Sequence, residues 1–159
     1  MLVSFLMVSL KPMTCKEFLE SLRENDGKNI ERMIPVFESN HLEVVVRGSS
    51  AHPLHRQNYQ DIDLLASGKR ADYLSAISVF ESWLFAPYTP CLGPYVDEPS
   101  AIFRHIFRYN YSEGSELRGT RYASIDISFV EQRQSESPYE VLLVSFSGKR
   151  TRRKKKKHS

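Results

Sequence analysis

The sequence predicts a small α+β domain with a mixed α/β element order, in which helices pack mainly on one face of a small twisted mixed sheet. Three observations carry that expectation. Apolar residues recur at helical spacing in separate stretches, and β-branched and aromatic runs of strand length lie between them. The two kinds follow one another as helices, strands, a long helix and strands, not as the regular strand and helix repeat of a doubly wound parallel sheet.

Taken in order, Thr14 followed three residues later by Glu17 is a capping box, in which hydroxyl and carboxylate satisfy two orphan amides of a helix start. Phe18, Leu19 and Leu22 give that helix one apolar face, and Asp26-Gly27 reads as its stop. Ile30, Met33, Ile34 and Phe37 repeat at i, i+3, i+4, i+7, so a second amphipathic helix is expected, kinked or ended early by Pro35. Residues 42–46 are a β-branched run of the kind that becomes a buried strand, with Arg47-Gly48-Ser49-Ser50 as the turn after it. Residues 61–66 read as another short strand. Leu74, Ile77, Phe80, Trp83 and Leu84 predict a long packed helix over 70–85, closed by Pro87 and Pro90. The four prolines within 87–100 predict a loop. Residues 102–111 and 121–130 flank a segment with two glycines and predict a hairpin, and 139–146 predict a last strand.

At 159 residues the chain is one domain by length. Its expected segments are 1–13, either a strand or sequence upstream of a start at Met13; the domain at 14–148; and a tail at 149–159. The apolar opening lacks the basic lead and the cleavage site of an export signal, and no apolar run approaches the ~20 residues of a membrane helix. Cys15 and Cys91 belong to no paired motif, so a reducing compartment, the cytoplasm, is expected. Net charge is +3, but the tail KRTRRKKKKHS holds eight basic residues, leaving 22 − 8 = 14 basic against 19 acidic residues in the body. Such a like-charged block cannot bury apolar area and should be solvated. It is read as a binder of RNA or DNA phosphates, as a nuclear targeting signal in a eukaryote, or as a solubilising tail.

Function has to come from a site. In an alternating strand Asp61 and Asp63 project from one face while Ile62 and Leu64 anchor the other. The run SIDISF repeats the pattern around Asp126, with small serines leaving room beside the carboxylate. Three carboxylates on one sheet face repel one another unless a cation neutralises them, and magnesium, with manganese as its substitute, suits hard oxygen ligands shared with substrate phosphates. Gly48 would let the backbone approach a phosphate, and the Ser49 hydroxyl and nearby amides would donate to it.

These residues resemble the signature of the nucleotidyltransferase superfamily: VVVRGSSAHPLHRQNYQDIDLL, followed much later by ASIDISF. The resemblance implies a nucleotidyltransferase-like fold in a minimal single-domain member. It also implies two-metal transfer of a nucleoside monophosphate from an NTP, such as ATP, to a hydroxyl on RNA, protein or a small molecule. Gly48 and Ser49 then bind phosphate, Asp61 and Asp63 bind the metals, and Asp126 completes the catalytic and metal set, with Glu131 and Asp97 as its substitutes. The chain has no room for the helical domain that usually grips base and acceptor, so a separate helical protein partner is expected by analogy. The alternative is a catalytically inactive module that binds nucleic acid through its tail or serves as an antitoxin-like partner.

Other residues have plainer readings. His52, His55 and Arg56 could touch phosphate but suit a solvated loop, and a zinc site from His41, His52, His55 and a cysteine lacks paired thiolates. Arg104, Arg108, Arg118 and Arg121 form a basic strip beside the site or a solvated strand face. Tyr109, Tyr111 and Tyr122 stack on a base or pack across strands.

Overall fold

The computed structural model describes residues 11–52, 59, 61–83, 86–91, 100–110, 122–133 and 139–146, with the backbone alone for 86–91, 108–110 and 122–124. The segments at 1–10 and 149–159 lie outside them. Helix α1 (Cys15–Ser21) starts at the capping box: Glu17 N donates to Thr14 Oγ1 at 3.1 Å, and Thr14 N donates to Glu17 Oε1 at 3.2 Å. Phe18 carries its apolar face into the core, with no exposed surface.

One expectation at the second helix is corrected and another is narrowed. Asp26 and Gly27 do not stop α1, which ends at Ser21 with Leu22 as its cap; they lie in the first turns of α2 (Glu24–Ser39). An acidic residue is favoured at the positive end of a helix, and Gly27 faces α1, where a Cβ would make ordinary contact with Leu19 O at 3.4 Å. Pro35 does not end α2 early either. It sits on the exposed side, where water can satisfy the carbonyl it leaves unpaired, while Ile30, Met33 and Phe37 bury the opposite face. The helix closes with Leu42 N donating to Phe37 O and His41 N to Glu38 O, each at 3.1 Å, and His41 takes the left-handed backbone, at φ 56°, that such an ending needs.

The chain then enters the sheet. Its strands are β1 (Glu43–Arg47), β2 (Asp61–Ser67), β3 (Ala86–Cys91), β4 (Phe103–Asn110), β5 (Tyr122–Val130) and β6 (Val141–Val144), with α3 (Arg70–Ser82) between β2 and β3. Among the described residues they form one open sheet in the order β3-β4-β5-β2-β1-β6. Every neighbouring pair is antiparallel except β2 and β5, which run parallel, so the sheet is mixed and the fold is α+β. The expected loop over 87–100 is corrected in its first part: β3 occupies 86–91 and includes Pro87 and Pro90. It lies at the edge, where an amide missing from one side of the strand breaks no ladder.

Period-two alternation divides the sheet into two faces. Val44, Val46, Ile62, Leu64, Ile127 and Phe129 point to one, where Phe18, Ile30, Phe37, Tyr73 and Phe80 of the three described helices complete the core. Phe37 and Phe80 meet edge to face at 5.1 Å, and Tyr73 stacks on Phe129 at 4.5 Å. The opposite face carries a small cluster of Val45, Leu65, Ala101 and Val130, in which no helix residue takes part. Arg47 pairs with Glu140 at 3.3 Å there, and Arg133 pairs with both Glu140 and Glu43. Among the described residues, no helix is long and apolar enough to cross a membrane.

Candidate active site

The face opposite the described helices also holds the acidic residues. At the end of β1 the backbone of Gly48 turns left-handed, at φ 78°, and a Cβ on it would lie 2.5 Å from Asp63 Oδ2. The turn is therefore closed against the Asp63 carboxylate with no side chain between them. It continues as a helical turn, with Ala51 N donating to Gly48 O and His52 N to Ser49 O, each at 3.2 Å. Ser49 is exposed. Ser50 is buried, and among the described residues its Oγ has no hydrogen-bond partner.

The parallel register of β2 and β5 places Asp63 opposite Asp126 and Asp61 opposite Ser124. Neighbouring strands are about 4.8 Å apart, so Asp63 and Asp126 stand side by side on one face, with Asp61 two residues along. Ile62 and Ile125, pointing the other way, are buried and fix that orientation. Two ionised carboxylates about 5 Å apart repel by about 3 kcal/mol at an effective dielectric constant of about 20. Arg104 offsets this at Asp126. Its Nε donates to Oδ1 at 2.9 Å and to Oδ2 at 3.0 Å, and its Nη2 also donates to Oδ2. The two residues are diagonal across the β4–β5 ladder, because Arg104 stands opposite Ser128 and Ile106 opposite Asp126. Among the described residues, no three acidic, histidine or cysteine side chains stand as a ready metal-ligand group, and the Arg104 fork occupies the third carboxylate.

No protein-family model, curated protein or solved structure matches this chain.

Two residues before Asp61 stands a buried group that sequence reasoning missed. Tyr59 is buried and its hydroxyl donates to Asp26 Oδ2, which is also buried, while accepting from Arg23 N at 2.9 Å. Arg23 Nη2 donates to Tyr59 O at 2.7 Å, and its guanidinium lies 4.4 Å over the ring. Burial first, then the bond to Asp26, holds the phenol well above its ordinary pKa against the opposing effect of Arg23, so it stays protonated and keeps donating. No pattern of spacing announces a contact between residues 33 apart; only the aromatic residue just ahead of the acidic strand hints at it.

The remaining candidates divide. Glu131 pairs with Arg70 at 3.0 Å, both exposed, so it is engaged away from the carboxylate pair. The His52 ring lies 4.3 Å from that of Tyr139. His41 is exposed at the corner between α2 and β1. Arg108, Tyr109 and Tyr122 hold register positions on the β4–β5 hairpin, opposite Ser124, Ala123 and Asn110. Asp97, His55, Arg56, Arg118, Arg121 and Tyr111 lie outside the described residues. Cys15 is a free thiol whose pKa is raised by burial and then by Glu38, which disfavours the thiolate.

Proposed function

We propose that this chain is a metal-dependent nucleotidyltransferase, which transfers a nucleoside monophosphate from an NTP to a hydroxyl acceptor and releases pyrophosphate. The observation that carries the reading is one juxtaposition: Asp63 and Asp126 level with each other on parallel strands, Asp61 on the same face, and the Gly48 turn pressed against Asp63. An all-carboxylate donor set suits magnesium or manganese, and Ser50 adds a buried polar atom that has no partner among the described residues in the adjoining turn. Asp61 and Asp63 would hold the metal, with Asp126 as third ligand and acceptor of the attacking hydroxyl's proton. When bound, the metal supplies charge neutralisation at the phosphates and a lowered pKa for the attacking oxygen. The amides after Gly48 and the exposed Ser49 hydroxyl would donate to the triphosphate. Purified protein given labelled NTP and magnesium should release pyrophosphate, and Asp61→Ala combined with Asp63→Ala should reduce release to background. Equal release from variant and wild type overturns the reading.

One observation favours a second reading. The Arg104 fork neutralises Asp126 without any metal, as a catalytically silent module would. Such a module would bind RNA or DNA through residues 149–159 or pair with a helical protein. In that case removing 149–159 eliminates nucleic-acid affinity, the aspartate variants leave it unchanged, and wild type releases no pyrophosphate.

A further inference from the structure

The geometry points to Arg104 as a displaceable counter-cation that yields Asp126 to the divalent ion and then turns to the phosphates of the nucleotide. The inference rests on the nucleotidyltransferase reading of the site. Both oxygens of Asp126 are engaged by the fork, at 2.9 and 3.0 Å from Nε alone, so the guanidinium occupies the side of the carboxylate on which charge is neutralised. A carboxylate oxygen keeps a second lone pair, but a divalent ion on it would stand beside a fixed positive charge. One of the two cations must give way. Arg104 is the one built to move: its side chain is 33 % exposed on a long, jointed stem, whereas the carboxylate that both cations would share is 13 % exposed and pinned between β2 and β4. Ile106, directly opposite Asp126, offers no competing charge. Its partial exposure lets water replace part of the pairing lost on leaving Asp126, and its anchor on β4 keeps it beside the carboxylates, where a polyphosphate would lie and where its planar fork suits paired phosphate oxygens.

The test uses the full chain and manganese as probe. Its affinity is measured by electron paramagnetic resonance for wild type, Arg104→Gln, Arg104→Lys and Asp61→Asn, and that of a non-hydrolysable ATP analogue by calorimetry at saturating manganese. Without nucleotide, Arg104→Gln should bind manganese about tenfold more tightly, because the competing charge is gone. With manganese present, the same variant should bind the analogue about tenfold more weakly. Arg104→Lys, which keeps the charge but not the fork, should move both in the same directions by less, and it decides the matter should Arg104→Gln fail to fold. Unchanged or weaker manganese binding in the arginine variants overturns the exchange, as does unchanged or tighter nucleotide binding. If Asp61→Asn weakens manganese while the arginine variants do not move it, only the role of Arg104 falls. If Asp61→Asn has no effect on manganese, the nucleotidyltransferase reading falls with it.

Discussion

A side chain at position 48 would meet two obstacles at once, a left-handed backbone at φ 78° and the Asp63 carboxylate 2.5 Å from where its Cβ would lie. The backbone alone costs a non-glycine residue about 1–2 kcal/mol, and moving the carboxylate adds to that. Gly48→Ala should therefore lower stability by about 2–3 kcal/mol in urea titrations and abolish pyrophosphate release. Gly48→Asn separates the two causes, because asparagine tolerates the left-handed region but still carries a Cβ. Equal losses in the two variants assign the cost to the carboxylate; a smaller loss for asparagine assigns it to the backbone. At this scale much of the candidate site's geometry was legible. Alternation alone placed Asp61 and Asp63 on one face and Asp126 on a matching one, because buried isoleucines beside each carboxylate leave no other orientation. The partnership of Arg104 with Asp126 was not legible, since a diagonal contact depends on how the β4–β5 hairpin aligns, and no single strand encodes that.

Among the elements, α2 does more than cover the sheet. Through Arg23 and Asp26 its first turn grips Tyr59, so a helix on one face of the sheet anchors the chain two residues before the strand that carries Asp61 and Asp63. Tyr59→Phe leaves the buried Asp26 carboxylate without its hydroxyl donor and should cost about 1–3 kcal/mol in denaturant melts. A loss below about 0.5 kcal/mol would mean that the grip is dispensable. The elements that the sequence made plain are those with local signals, namely the capping box of α1, the repeating apolar face of α2, and the two strands around a glycine-bearing turn. Those misread carry signals that serve two purposes. Asp26-Gly27 resembles a helix ending but works at a helix beginning, where acid meets the dipole. Pro87 and Pro90 resemble loop residues but are tolerated in β3, because an edge strand pairs on one side only.

For the molecule as a whole, a buried polar pair inside the core makes stability depend on pH. The Tyr73 hydroxyl lies 2.8 Å from His105 Nδ1, on the helix-covered face and within 3.5 Å of Ile127 O. Burial lowers the His105 pKa, with Glu81 partly opposing it, so the folded protein favours the neutral ring. The unfolded chain takes up the proton near pH 6.5, before the native state does. Stability is thus complete above that pH and declines as pH falls from there towards the lower folded value. Urea midpoints measured between pH 7.5 and 5 should fall for wild type and fall less for His105→Leu; parallel curves would remove His105 as the cause. The parallel pairing of β2 with β5 has its own consequence for synthesis on the ribosome. The Gly48 turn and the first two aspartates emerge early, but their neighbouring strand arrives only after α3, β3 and β4 have been made, a long closure that parallel strands always require. Until then β2 presents a bare edge open to foreign strands. One event, the docking of β5, both shields that edge and sets Asp126 level with Asp63, so a nascent chain becomes safe from misassembly and completes its row of carboxylates in the same step.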